Sequence, residues 1–315
     1  MDINGFSVDP LNVADSNPGR VEYCPGGVGR NIAENLHRLG ADVRFIGVIG
    51  DDPGGEFIKN SSERMGLNIE HSLSLSSDQA SKNLTTSNVT SVYIALMDHD
   101  GEMKLALADM NIMEQMTTGH LLEKAKIIGE SAIVLLDTNL PEEIIGFILD
   151  RFGAAGPLFF LDPVSARKAP KAASRIGSFD TIKLGRMEAS VLSGVEIPKV
   201  SEIGTGGALT EKLEDAAGVF IDKGVRRVFI TLGKEGVFTA SAAKSFFTPV
   251  RRVQPHNTSG GGDAFMAGIV YGTLRNWDEE KIVSFSLAMA RITVQSKSTV
   301  SPDMCLRLVE EELLL

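Results

Sequence analysis

The chain has 315 residues, 43% hydrophobic and 23% charged, with a net charge of −10 and a pI near 5.1. That length suits one large α/β domain or two smaller ones, and the acidic balance, with no Lys/Arg run longer than two, argues against nucleic acid and membrane as partners. No apolar run approaches a membrane span, no basic-then-apolar leader opens the chain, and Cys24 and Cys305 show no metal spacing with the histidines; these features fit a cytoplasmic protein with free thiols.

Residues 1–25 read as short extended pieces broken by Pro10, Pro18, Gly19 and Pro25. From Gly26, GGVGRN leads into a helix with Ile32, Ala33, Leu36 and Leu39 on one face and Gly40 as its stop. Val43–Ile49, apolar but for Arg44, reads as a strand buried on both faces. GDDPGG follows, with Asp51 and Asp52 serving turn geometry, and then a helix from Glu56 to Met65. Ser91–Met97 and Met103–Ala108 flank DHDG, a hairpin signal, and a helix is expected over Met113–Lys124.

Ala132–Asp137, Leu158–Asp162 and Val228–Leu232 are strand candidates spaced by helices, with a shorter one near Thr181–Leu184. The alternation argues for a mostly parallel sheet covered on both faces, with the early pieces and the hairpin forming a small β-rich lid. Val195–Leu209 has little pattern and reads as a surface connection.

The stretch with chemistry in it is NTSGGGDAFMAG, Asn257–Gly268, a glycine turn feeding a helix at or just after Asp263. Gly260, Gly261 and Gly262 leave backbone N–H groups open to an anion, which the helix dipole also favours. A carboxylate beside an anion site needs a task, such as taking a proton from an attacking hydroxyl; the plainer reading of Asp263 is a helix N-cap.

The two glycine motifs together resemble the ribokinase-like (PfkB) family of carbohydrate and nucleoside kinases. Gly26–Ile58 is similar to that family's first signature and NTSGGGDAFMAG to its second, with LDPVS (Leu161–Ser165) and TLGKEG (Thr231–Gly236) between them in the family's order. ADSNPGRVEYCPGGVGRN (Ala14–Asn31), GEMKLALADMNI (Gly101–Ile112) and DPVSARK (Asp162–Lys168) look most like pseudouridine kinases. The resemblance implies one three-layer αβα sandwich over residues 1–315, with lid elements at about 1–25 and 88–112. It also implies ATP and Mg²⁺, phosphorylation of the 5′-hydroxyl of a nucleoside, and a homodimer formed through the lid. Ribose, fructose or adenosine as acceptor, or a catalytically weak nucleoside binder, are the alternatives.

By that resemblance Asp263 is the base, and Gly260, Gly261 and Gly262 hold the phosphate charge. Asp2, Gly27 and Asn31 grip the ribose hydroxyls, unless Asn31 is only a helix cap. Thr231, Gly233 and Gly236 belong to the ATP pocket, and Glu188 orients Mg²⁺. Thr90 and Asp109 are lid acceptors for the extra N1–H of pseudouridine, with a turn role as the alternative for Asp109. Lys168 and Lys183 read as solvated surface, His256 as a packing or surface residue and Cys24 as a small buried filler. The chain departs from the family pattern at Gly185, where an Asn is usual, and at Asn257, where the loss of an Asp weakens a K⁺ site. The family also places a strand before the position of Asp2.

Overall fold

The computed structural model describes residues 1–76, 88–101, 103–154, 156–204 and 206–315. Glu102 of the lid segment and Thr205 of the connection therefore lie outside the described residues.

β1 (Asp2–Ser7) and β2 (Gly19–Cys24) are antiparallel neighbours. α1 (Val28–Arg38) is capped by Gly27 at φ 98°, so Asn31 is a residue of its first turns and not its cap. β3 (Val48–Gly50) is all that the apolar run over Val43–Ile49 contributes to a sheet. α2 (Pro53–Met65) starts earlier than expected because Pro53 takes its first position and the Asp52 carboxylate caps it, accepting from Gly55 N at 2.7 Å. β4 (Leu73–Leu75) pairs with β3, and β5 (Val92–Met97) with β6 (Met103–Asp109) forms the expected hairpin.

The helix expected over Met113–Lys124 is broken. Residues 111–115 form a 3₁₀ turn, and Thr117 then caps α3 (Thr118–Glu123), which gives way to α4 (Ala125–Glu130). β7 (Ile133–Asp137), α5 (Glu142–Phe152), β8 (Leu158–Asp162), β9 (Thr181–Gly185) and α6 (Arg186–Ser193) follow. The stretch over Val195–Leu209 is no bare connection: Ile197 is fully buried, α7 (Val200–Ile203) lies in it, and α8 (Gly207–Asp222) begins before its end. β10 (Arg227–Thr231) leads to a hairpin that sequence patterning missed, β11 (Gly236–Ser241) and β12 (Ser245–Pro249), whose turn carries no Asn-Gly signal. α9 (Gly261–Leu274), α10 (Glu279–Val294) and α11 (Leu306–Leu313) close the chain.

The central sheet has the order β12-β11-β10-β9-β8-β7. β7 to β10 run parallel, and β11 and β12 add an antiparallel edge. Its strands are apolar on both faces because both are covered. Val228 and Ile230 enter the core under α5 and α8, while Phe229 between them packs with Phe265 of α9 and Phe285 of α10 on the opposite side. The lid is a second sheet, β2-β1-β5-β6, standing apart from this sandwich.

Among the described residues β7 is the outer strand, with no neighbour on its far side. A cavity of about 770 Å³ runs along it, lined by Ile32 and Leu36 of α1, Val43, Phe45 and Tyr271, and reaching Met1 and Asp2. Residues 43–47 line this space without joining a ladder, which corrects the expected strand there. A run of this kind becomes a strand only where its N–H and C=O groups join a ladder, and residues 43–47 join none among the described residues.

Candidate active site

Parallel strands ending side by side bring Asp137, Asp162 and Lys183 into one row. Asp137 pairs in register with Asp162, and Lys183 lies one step beyond the Leu161–Ile182 pair. α9 begins over this row. Its N-cap, Gly260, has φ 81°, and a Cβ there would run into the Thr299 carbonyl oxygen. No side chain caps the helix, so the first-turn N–H groups of Gly261, Gly262 and Asp263 remain open at its positive end.

Asp263 stands in that first turn, and Asn31 Nδ2 donates to its Oδ2 at 2.8 Å. Its pKa is raised from 3.8 to about 7, first by burial and then by the charge of Asp162, against the pull of Lys183 and the Asn31 hydrogen bond. The carboxyl is surrounded by protein but keeps part of its surface exposed. A carboxyl with that pKa exchanges its proton near neutral pH. Asn31 itself is buried, and its Oδ1 has no partner in the protein, leaving an acceptor free for a ligand's hydroxyl.

Asp2 approaches from β1, with its carboxylate resting directly on Gly26 where any Cβ would collide with it. Burial pushes its pKa up, while the terminal ammonium and Arg30 oppose the rise. Asp2, Gly27 and Thr90 line the same cavity. The Thr90 hydroxyl accepts from Gly50 N at 3.0 Å and its N–H bonds Asp52 Oδ2 at 2.6 Å, so much of its capacity is spent tying the lid to the GDDPGG turn.

Asp109 is not brought to this group. In the lid ladder Asp2, Tyr93 and Ala108 share one face, and Asp109 pairs with Val92 on the other. It is exposed, and its Oδ1 accepts from Asn111 N at 3.2 Å, the turn role. The alternation of a strand puts neighbours on opposite faces, and Asp109 falls on the outer one.

At the far end of the row, Thr231 of β10 is in register with Gly185, and its hydroxyl bonds the Leu184 carbonyl at 3.2 Å. Gly233 at φ 61° and Gly236 at φ 139° turn the chain into β11 just beyond. Glu188 lies half-buried in the first turn of α6, folded back so that its carboxylate fills the space over Gly185. Asn257 is buried, accepting from Ser259 N at 2.9 Å and donating to the Lys297 carbonyl at 3.2 Å.

Four residues of the group escaped sequence reading. Asp162, Arg30 and Lys183 are buried and Asp137 half-buried beside them, and Lys183, expected on the surface, is 8% exposed. Its Nζ meets Asp162 Oδ2 at 2.6 Å. A mid-strand lysine in TIKLG, with apolar residues on either side, was the available signal.

Residues 1–304 match the model of the pfkB family of carbohydrate kinases. The chain belongs to this family. It is 31% identical over 306 residues to the pseudouridine kinase of Escherichia coli, covering 96% of this chain and 90% of that one. A carbohydrate kinase from Agrobacterium tumefaciens is 25% identical with a TM-score of 0.76, over 100% of this chain and 94% of its own. Ribokinase of Arabidopsis thaliana, solved with ribose and ATP, superposes with a TM-score of 0.77 at 19% identity, covering 100% of this chain and 96% of that one. The fold is accordingly ribokinase-like, and this pfkB kinase is an ATP-dependent sugar or nucleoside kinase. No helix among the described residues is long and apolar enough to cross a membrane.

Proposed function

We propose that this pfkB kinase transfers the γ-phosphoryl group of ATP to the 5′-hydroxyl of pseudouridine, giving pseudouridine 5′-phosphate in the cytoplasm. The observation that carries the reading is the Asn31–Asp263 contact, which sets a near-neutral carboxyl beside a free buried acceptor. The likeness to pseudouridine kinase across 96% of the chain supports the choice of acceptor.

The Asp263 carboxylate takes the hydroxyl proton as the acceptor oxygen bonds to the γ-phosphorus. The bond to the bridging oxygen breaks, and ADP leaves with that electron pair. The open N–H groups of Gly261 and Gly262, behind the Gly260 turn, face the charge that develops on the phosphoryl oxygens. Asp2 and Asn31 Oδ1 accept from the ribose hydroxyls where Gly27 lets the backbone come close. Thr231, Gly233 and Gly236 border the nucleotide.

Glu188 is one half-exposed carboxylate at the phosphate end of the strands, which fits Mg²⁺, an ion carried mostly by water and phosphate oxygens. Bound there, the ion neutralises phosphate charge. K⁺ has less support, because neutral Asn257 spends the Lys297 carbonyl on its own N–H.

The outer face of the lid supports a homodimer. Register aligns Tyr23, Ile3, Ile94 and Leu107 in one row and Val21, Gly5, Leu96 and Leu105 in the next. Leu105 and Leu107 are 62% and 65% exposed, an apolar sheet face suited to a second copy. Leu105→Lys with Leu107→Lys should give a monomer by sedimentation, and an unchanged state would remove the lid from the interface.

The deciding experiment is incubation with Mg-ATP and a panel of nucleosides and sugars, following ADP release. Pseudouridine should show the highest kcat/KM. A better result with ribose, fructose or adenosine would move the substrate. Nucleoside binding without ADP release would favour a weak relative, the reading to which Gly185 and the open β7 edge lend weight.

A further inference from the structure

Lys183 is out of place for a structural lysine. Its ammonium is buried and lies 3.3 Å from where a Cβ on Gly262 would stand, under the first turn of α9. That is the positive end of the helix, where a cation is disfavoured. Asp162 Oδ2 holds it from β8 at 2.6 Å. Replacing a buried ion pair by an apolar pair of similar size often costs no stability, so packing alone does not account for this one. Two positive features, the ammonium and the uncapped turn, converge on one place beside the Asp263 carboxyl, and Asp162 holds only the first of them.

We propose that Lys183, fixed by Asp162, supplies a second positive charge to the glycine turn and holds the transferred phosphoryl group there. The inference rests on the kinase reading of the site. As the acceptor oxygen bonds to the γ-phosphorus and ADP departs with the bridging electron pair, the proton goes to Asp263. Lys183 stays protonated and forms no covalent bond. Burial works to lower its pKa, but the charges of Asp162, Asp263 and Glu188 outweigh that and leave it raised. The other groups that face Asp263 are Asp2 from β1 and Asn31 and Arg30 from α1. Only Arg30 among them is a cation, and both its terminal nitrogens are on Glu34.

The test compares Lys183→Met, Lys183→Arg and the double variant Asp162→Asn with Lys183→Met, in the full chain. Calorimetry with Mg-ATP and Mg-ADP is read beside kcat with the parent's best acceptor. Lys183→Met should bind Mg-ADP as the parent does and Mg-ATP about 10-fold or more weakly, with kcat lower by roughly 10²–10³. Lys183→Arg should recover part of both. The double variant leaves no unpaired buried charge, so it should melt near the parent yet remain slow. Restored turnover and a restored ATP-to-ADP ratio in the double variant would overturn the proposal, since the pair would then only pack. So would an unchanged ratio in Lys183→Met. If the parent phosphorylates no acceptor, the nucleoside kinase reading fails by itself, and the ATP-to-ADP ratio still decides the role of Lys183.

Discussion

Asn31 Nδ2 donates to Asp263 Oδ2 at 2.8 Å across 232 residues of sequence, tying the first glycine motif to the second. Each motif opens a helix, and α1 packs against α9, so under the proposed function the contact fixes where the acceptor's hydroxyls lie relative to the Asp263 carboxylate.

Asp263→Asn keeps the shape and removes the base. Turnover should fall by about 10²–10⁴ while nucleoside binding persists. In the parent, log kcat/KM should rise with pH and level off above about 7, where the free carboxyl is ionised. Near-normal turnover in the variant would remove Asp263 from the chemistry.

The same carboxyl links stability to pH. Its folded pKa is raised, so the fold binds this proton more tightly than the unfolded chain does. Its contribution is fully present below 3.8 and is lost as pH rises through about 7. A rise of that size corresponds to roughly 4 kcal/mol, an upper bound for a carboxyl that is half-buried. Asp263→Asn should therefore melt higher than the parent at pH 8, with a smaller difference at pH 5. Parallel Tm profiles would contradict the raised pKa.

Gly185 is occupied from above by the Glu188 carboxylate, so any side chain there displaces it. Gly185→Ala tests displacement alone, and Gly185→Asn adds a polar partner. If Glu188 serves Mg²⁺, the Asn variant should shift the Mg²⁺ dependence of activity by about 10-fold relative to Ala, the scale of a supporting ligand contact. Identical Mg²⁺ titrations in both, with Glu188→Ala also silent, would place the metal elsewhere.

Among the described residues no strand lies beside the edge of β7, and an apolar cavity runs along it. The Met1 ammonium lies at its mouth, donating to the Ser91 carbonyl at 2.7 Å, and burial lowers its pKa. A β-branched strand fused ahead of Met1 should raise Tm and slow hydrogen exchange along Ile133–Asp137. A fusion of equal length with proline at alternate positions should do neither. Equal melting of both fusions would show that the edge accepts no strand.

Asp109 faces outward, so Asp109→Ala should lower kcat/KM for pseudouridine and uridine by the same small factor. A selective loss with pseudouridine would mean that the lid turns this face inward when it closes.

The glycine motifs, the Gly260–Asp263 turn and the alternation of β7 to β10 with helices were legible because they are local. A turn that needs positive φ demands Gly at a fixed position, and a strand buried on both faces is apolar throughout. Asn257 and Gly185 stood out for the same reason. What only the tertiary structure decided depends on groups far apart in the chain. Lys183 was read as solvated because a lysine gives no sign of which strand's carboxylate awaits it; Asp162 on the neighbouring strand drew it inward. Residues 43–47 had the apolarity of a strand but no ladder to join. Asp109 differed from a substrate ligand by one step of strand register, which is set by its pairing with Val92 and not by its own chemistry.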